Sequence, residues 1–316
     1  MVSAVPKSCA SYACEVEEME SGNIAPKDMI TMDYCECSTP PFQRSVNEVK
    51  IIINPHQIKS LDNPGNNYKP LNYNCKTIEI DCSCVKKSPK LFDSIIDDLS
   101  GNPTLFWIDP TNLQIECLAS LIANWKDHIT TGKNIALGIV IPEGETNQKV
   151  GEPYELWKAD AFGFSYVEKS SIPVWWYPAL SRDNQSLEQA ARDLDPYDVF
   201  PLVEFPNRSI QWGERTVTDH YHMLELSRTR TRNFIFLDSL CPDQAFDQFY
   251  RTLKAIPSPS FSISRPVLTP GGSTNGFMTT LLAGALTESH FLTPKNEIPI
   301  NSNAKTQGIM ILRKCT

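Results

Sequence analysis

His220 and Asp238 stand near the two ends of TDHYHMLELSRTRTRNFIFLDSLCP, residues 218–242, each beside an apolar run, with a polar, arginine-bearing turn between the runs. An imidazole and a carboxylate held face to face form the orienting half of a nucleophilic site. The carboxylate accepts one ring N–H, fixes the tautomer and favours the cation, so the other ring nitrogen can activate a thiol or hydroxyl. An antiparallel hairpin turning on Thr229 would set His220 opposite Asp238 on one face, about 4.5–5.5 Å apart. A slip of one residue would separate them to opposite faces, and the sequence leaves that register open. The plainer alternative is a histidine at a strand end and an aspartate that caps the turn before Pro242.

Thiols are the second source of chemistry. Seven of the ten cysteines precede residue 85, among them Cys35 and Cys37 in CEC and Cys82 and Cys84 in CSC. These two pairs could share one tetrahedral zinc. C-x-C is tighter than the usual ligand spacing, so buried free thiols are the alternative. The start of the chain has no apolar h-region, which points to reduced thiols and an intracellular compartment, cytoplasm or nucleus, including that of a host cell receiving a delivered effector.

The elements that must position these groups are legible in part. Residues 1–87 read as a Cys-rich region with strands at VKIIIN and KTIEIDC, and residues 88–316 as a larger domain in which strands and helices alternate. SPKLFDSIIDDLSG has helical spacing. In WIDPTNLQIECLASLIANW, Asp109 and Pro110 are expected to start a helix with a stripe of Leu113, Cys117, Leu118, Leu121, Ile122 and Trp125. NIALGIVIP reads as a strand buried on both faces. SLEQAARDL carries a capping box from Ser186 to Gln189. PDQAFDQFYRTLKAI puts Phe246, Phe249, Tyr250 and Leu253 on one face, and GGSTNGFMTTLLAGALTE is a glycine turn leading into an apolar helix. Trp157, Trp175 and Trp176 fit covering the sheet better than forming a binding surface.

The net charge of −8 argues against nucleic acid and favours a basic partner. The basic cluster of Arg228, Arg230 and Arg232 reads as a solvated turn. The sequence also lacks an apolar run long enough for a membrane span.

Taken in order, these motifs resemble the Ulp/SENP-type cysteine peptidases, which process ubiquitin-like proteins such as SUMO. HYHMLEL and NFIFLDSL are similar to that family's histidine and aspartate strands. FWIDPTNLQIECLASLI is similar to its WLND segment, DVFPLVEFP to the strand leading to the histidine, and GGSTNGFMTTLLAGAL to the glycine turn and buried helix that carry its cysteine. The likeness spans roughly residues 104–292. It implies an α+β papain-like fold with a central mixed sheet flanked by helices. It also places Asn275 at the nucleophile position, Thr269 at the oxyanion glutamine, and Trp107 and Tyr221 at the aromatics that cover the partner's Gly-Gly tail.

Asparagine has no ionisable nucleophile for His220 to activate, and threonine is too short for glutamine's reach. The resemblance therefore implies a pseudoprotease that binds ubiquitin, a ubiquitin-like protein or another protein. Two alternatives stay open. One is an active deubiquitinase, deSUMOylase or acyltransferase of that clan, working through another nucleophile such as Ser273, Thr274 or Cys241, or met here as an inactivated mutant. The other is a structural or assembly protein that reuses the fold.

Overall fold

The computed structural model describes residues 29–36, 49–54, 76–80, 104–108, 110, 113–131, 135–142, 154–161, 163–168, 174–180, 184–205, 211, 214–220, 230–238, 240–256, 265–294 and 306–314. In chain order, the first elements are β1 (Ile30–Glu36), β2 (Val49–Asn54), β3 (Lys76–Ile80), β4 (Thr104–Ile108), α1 (Ile115–Thr130) and β5 (Ile135–Pro142). They are followed by β6 (Tyr154–Asp160), β7 (Gly163–Tyr166), β8 (Val174–Pro178), α2 (Asn184–Leu194), β9 (Asp198–Val199) and β10 (Leu202–Phe205). The remainder are β11 (Arg230–Thr231), β12 (Ile235–Asp238), α3 (Pro242–Lys254), β13 (Arg265–Thr269), α4 (Thr274–Leu286), β14 (His290–Pro294) and β15 (Thr306–Lys314). The architecture is mixed α+β.

Two compact units share the chain. The first comprises residues 1–113, 124–143 and 301–316, and the second residues 114–123 and 144–300. In the first unit a six-stranded sheet runs β1-β15-β5-β4-β2-β3. The expected strands VKIIIN and KTIEI are β2 and β3, paired antiparallel. NIALGIVIP is β5, buried along its whole length between parallel β4 and antiparallel β15. The helix expected over SPKLFDSIIDDLSG lies outside the described residues.

The stripe from Leu113 to Trp125 is buried as its spacing requires, but α1 begins at Ile115 rather than at Pro110. Ahead of the helix, the Leu113 N–H donates to the Pro110 carbonyl at 3.1 Å. Similarly, α2 starts at Asn184, ahead of Ser186, and Gln189 bonds forward to Asp193 at 2.9 Å rather than back to a cap.

The second unit is built on a seven-stranded sheet, β11-β9-β8-β13-β14-β6-β7. From β11 to β14 all neighbours are parallel, and β6 and β7 are antiparallel additions. Alternation along the strands sends successive side chains to opposite faces. Trp176 of β8 and Val267 of β13 join Leu187, Ala190 and Ala191 of α2 in one core. On the other face Tyr177 stacks on Phe200 at 5.0 Å and meets Phe249 of α3 edge-on at 6.0 Å. Leu268 and Phe291 there lie so close to Gly284 of α4 that an added Cβ would meet Phe291 at 2.7 Å. The sheet thus carries α2 on one face and α3 and α4 on the other. Trp157 and Trp176 are fully buried within it, so they form its core as well as covering it.

Of the hairpin expected between His220 and Asp238, the first arm beyond His220 and the turn at Thr229 lie outside the described residues, but its two ends are not placed as expected. Residues 214–220 are helical, so His220 lies in a helix instead of opening a strand. The polar side chains of this stretch suit a surface turn of helix. Arg215 pairs with Asp219 at 3.7 Å, and the Thr218 hydroxyl donates to the Glu214 carbonyl at 2.9 Å. Asp238 ends β12, whose partner is β10, parallel, with Phe205 rather than His220 in register with Asp238. DVFPLVEFP is interrupted at Phe200 and Pro201, giving β9 and then β10.

Candidate functional site

Parallel sheets bind ligands beyond the carboxyl ends of their strands, at the point where chain order reverses direction. In the second unit that point lies between β8 and β13, since β8 is followed outward by β9 and β13 by β14. β10 and the turn after β13 meet beyond these strand ends. The Ala179 N–H donates to the Thr269 carbonyl at 2.9 Å and the Leu180 N–H to the Leu202 carbonyl at 2.9 Å, tying β8 to both.

The turn itself is Pro270, Gly271, Gly272 and Ser273, running directly into α4. Gly272 has φ +86°, a conformation open to glycine and costly for other residues. Ser273 is the N-cap, extended in backbone, and its hydroxyl accepts from the Gly276 N–H at 3.2 Å. Every residue of α4 is buried, as expected of a helix that is apolar all round.

Into the start of this helix reaches Glu204 of β10. Its Oε1 accepts from the Ser273 N–H at 2.9 Å, and the residue is only 6% exposed. A Cβ on Gly276 would come within 2.5 Å of the Glu204 carboxyl carbon, and one on Gly272 within 3.1 Å. Both glycines therefore make room for the carboxylate. The N-terminus of a helix is where an anion is most stabilised, and here the protein supplies its own.

The four positions aligned with a catalytic set are each placed in the second unit. Asn275 is in the first turn of α4, 5% exposed, with a buried Oδ1 that has no hydrogen-bond partner among the described residues. Thr269 ends β13, 1% exposed, and its hydroxyl accepts from the Trp176 indole N–H at 2.9 Å. It therefore shares the face of Trp176 and α2, whereas α4 packs on the opposite face. His220 is fully buried. Its Nδ1 is 2.8 Å from the Thr216 carbonyl and so carries the proton, and its Nε2 has no partner among the described residues. Burial pushes its pKa below the ordinary value, against the opposing effects of the Thr216 carbonyl and Asp219.

Asp238 accepts from the Leu240 N–H at 2.9 Å, the turn-capping role weighed above. It also faces the Cys241 thiol. That thiol is held above its ordinary pKa, first by burial and then by Asp238 and Asp243, the reverse of what an attacking thiol needs. Ser273 is committed to the helix cap.

Trp107 lies on β4 of the first unit, in register with Ile52 and Gly138. Cys35 is on β1 opposite Ile309. Tyr221, Cys37, Cys82 and Cys84 fall outside the described residues, among which no group of three metal-ligating side chains occurs. Glu204 was not singled out from sequence. Its signal was a single charge inside the apolar run of LVEF, which calls for either a solvent face or a buried partner.

These observations define a mixed α+β protein whose glycine turn, at the switch point of a parallel sheet, is filled by its own carboxylate. In comparison with known proteins, no family model matches the sequence, and neither a curated protein nor a solved structure is significantly similar to it.

Proposed function

We propose that this chain acts by binding a protein partner, as a catalytically inactive pseudoprotease of Ulp/SENP-like ancestry with a papain-like domain, and not by peptide-bond chemistry. The observation that carries the reading is Glu204 on the Ser273 N–H. In a thiol peptidase the start of the buried helix stabilises a thiolate and, nearby, an oxyanion. A carboxylate already seated there repels both. Asparagine at position 275 and the use of Thr269 to hold an indole point the same way.

A binding role is supported by apolar surface. Phe236 of β12 is 52% exposed and Leu240, just after it, 73%. With a net charge of −8, a partner with a basic face is favoured. A ubiquitin-like protein is the first partner to test, in a reducing intracellular compartment.

The test uses the full chain with ubiquitin and SUMO, each free and as a probe with a C-terminal electrophile. Reversible binding without an adduct is expected, weakened roughly tenfold or more by Phe236→Asp, as for an apolar contact at the centre of an interface. A covalent adduct with the unaltered chain would overturn the reading in favour of an enzyme. Absence of binding to either protein would remove the ubiquitin-like partner.

A further inference from the structure

The helical stretch 214–220 lies on the surface of the second unit. Glu214, Arg215, Thr218 and Asp219 are exposed, Thr216 and Val217 half-buried, and His220 alone fully buried. Val217 packs against the core formed by Tyr154, Leu156, Trp176 and their neighbours. Val217 and the imidazole are thus inward-facing groups of a mostly exposed stretch.

The imidazole is an unusual anchor. With its Nδ1–H given to the Thr216 carbonyl, its Nε2 is a bare acceptor, buried and without a partner among the described residues. Proton uptake at Nε2 would create a buried N–H and a positive charge for which the described residues offer no acceptor, a state that a buried site does not tolerate. The charged group among the described residues that acts on the ring is Asp219, from the same stretch and itself paired with Arg215. The core against which Val217 packs holds one titratable group, the Tyr154 phenol.

We propose that His220 is an acid-sensitive latch: neutral, it pins residues 214–220 to the core, and protonated at Nε2 it leaves its site and releases them. Burial holds the ring below its ordinary pKa in the closed form, so the open form binds the proton more tightly. Acid therefore favours opening. The closed form is fully favoured above the ordinary histidine value of about 6.5 and loses ground as pH falls from there through the closed-state pKa.

Hydrogen exchange of the full chain, corrected for intrinsic rates, tests this. Between about pH 7.5 and about pH 5, protection of amides 214–220 should fall about tenfold per pH unit below the ordinary histidine pKa, while the amides of α4 keep theirs. His220→Leu, which fills the site without a proton acceptor, should remove the dependence. Protection that ignores pH in the wild type, or a dependence that survives in His220→Leu, overturns the latch. Should that variant fail to fold, nitrogen-resolved NMR of the wild-type ring decides the matter. A ring still neutral below about pH 6 supports the proposal, and one that titrates at or above about 6.5 overturns it.

Discussion

Trp176→Ala is expected to destabilise the second unit by about 3–5 kcal/mol, the range for emptying a fully buried large aromatic site. Two losses combine. The indole is 0% exposed and sits where β8, β13 and α2 share a core, so its removal leaves a cavity among strands that cannot close on it. Its N–H also donates to Thr269 at 2.9 Å, and that buried hydroxyl would lose its donor. Trp176→Phe separates the two terms, since it keeps most of the ring volume. It should cost about 1 kcal/mol for the hydrogen bond plus a smaller packing term. Denaturant unfolding followed by far-UV circular dichroism, with hydrogen exchange in β13 and α4, gives both values. A Trp176→Ala variant within about 1 kcal/mol of wild type, no worse than an average substitution, would mean that the indole is not part of the core.

The second large effect is expected at the start of α4, and it is one of coupling. Gly276→Ala introduces a methyl group against the Glu204 carboxyl, which must leave the turn and abandon the Ser273 N–H. The cost is about 1–3 kcal/mol for an unmet buried group, set against up to about 1 kcal/mol that alanine gains over glycine inside a helix. Glu204→Ala makes the same loss directly. Once the Glu204 side chain is cut back to alanine, the three atoms nearest the methyl group at position 276 are gone, so the double variant should be no less stable than Glu204→Ala alone. The interaction energy in the cycle should therefore be about 1–3 kcal/mol. Additive costs would show that the glycine is not there for the carboxylate.

The elements that stood out in the sequence were those with a single, strong period. β5 is a continuous apolar run and is buried throughout. α3 carries Phe246, Phe249, Tyr250 and Leu253 at helical spacing, and all four are buried. The glycine turn and apolar helix of α4 also emerge at the expected place. The strand expected to open at His220 does not open there: ERTVTDH is helical, favoured by its local polar pairs and by the packing of Val217 against the core. β12 was legible as a strand, but its parallel partner β10 was not, because pairing depends on packing between segments and not on either run by itself. The site was half legible. The glycines announced a turn, yet the residue that fills it comes from a different strand, and no local pattern links position 204 to position 273.

The six-stranded sheet of the first unit places β15 between β1 and β5. Its pairs join Met32 to Leu312 on one side and Ile139 to Met310 on the other. A chain made from its amino end must therefore complete residues 144–300 before this sheet can be finished. Until then β1 and β5 have no strand to join them, and each offers an open row of backbone donors and acceptors. Such edges are templates for the wrong strand, and closing across so long a separation in sequence is slow. The interval between the synthesis of β5 and that of β15 is when this protein is most exposed to mispairing with another nascent copy.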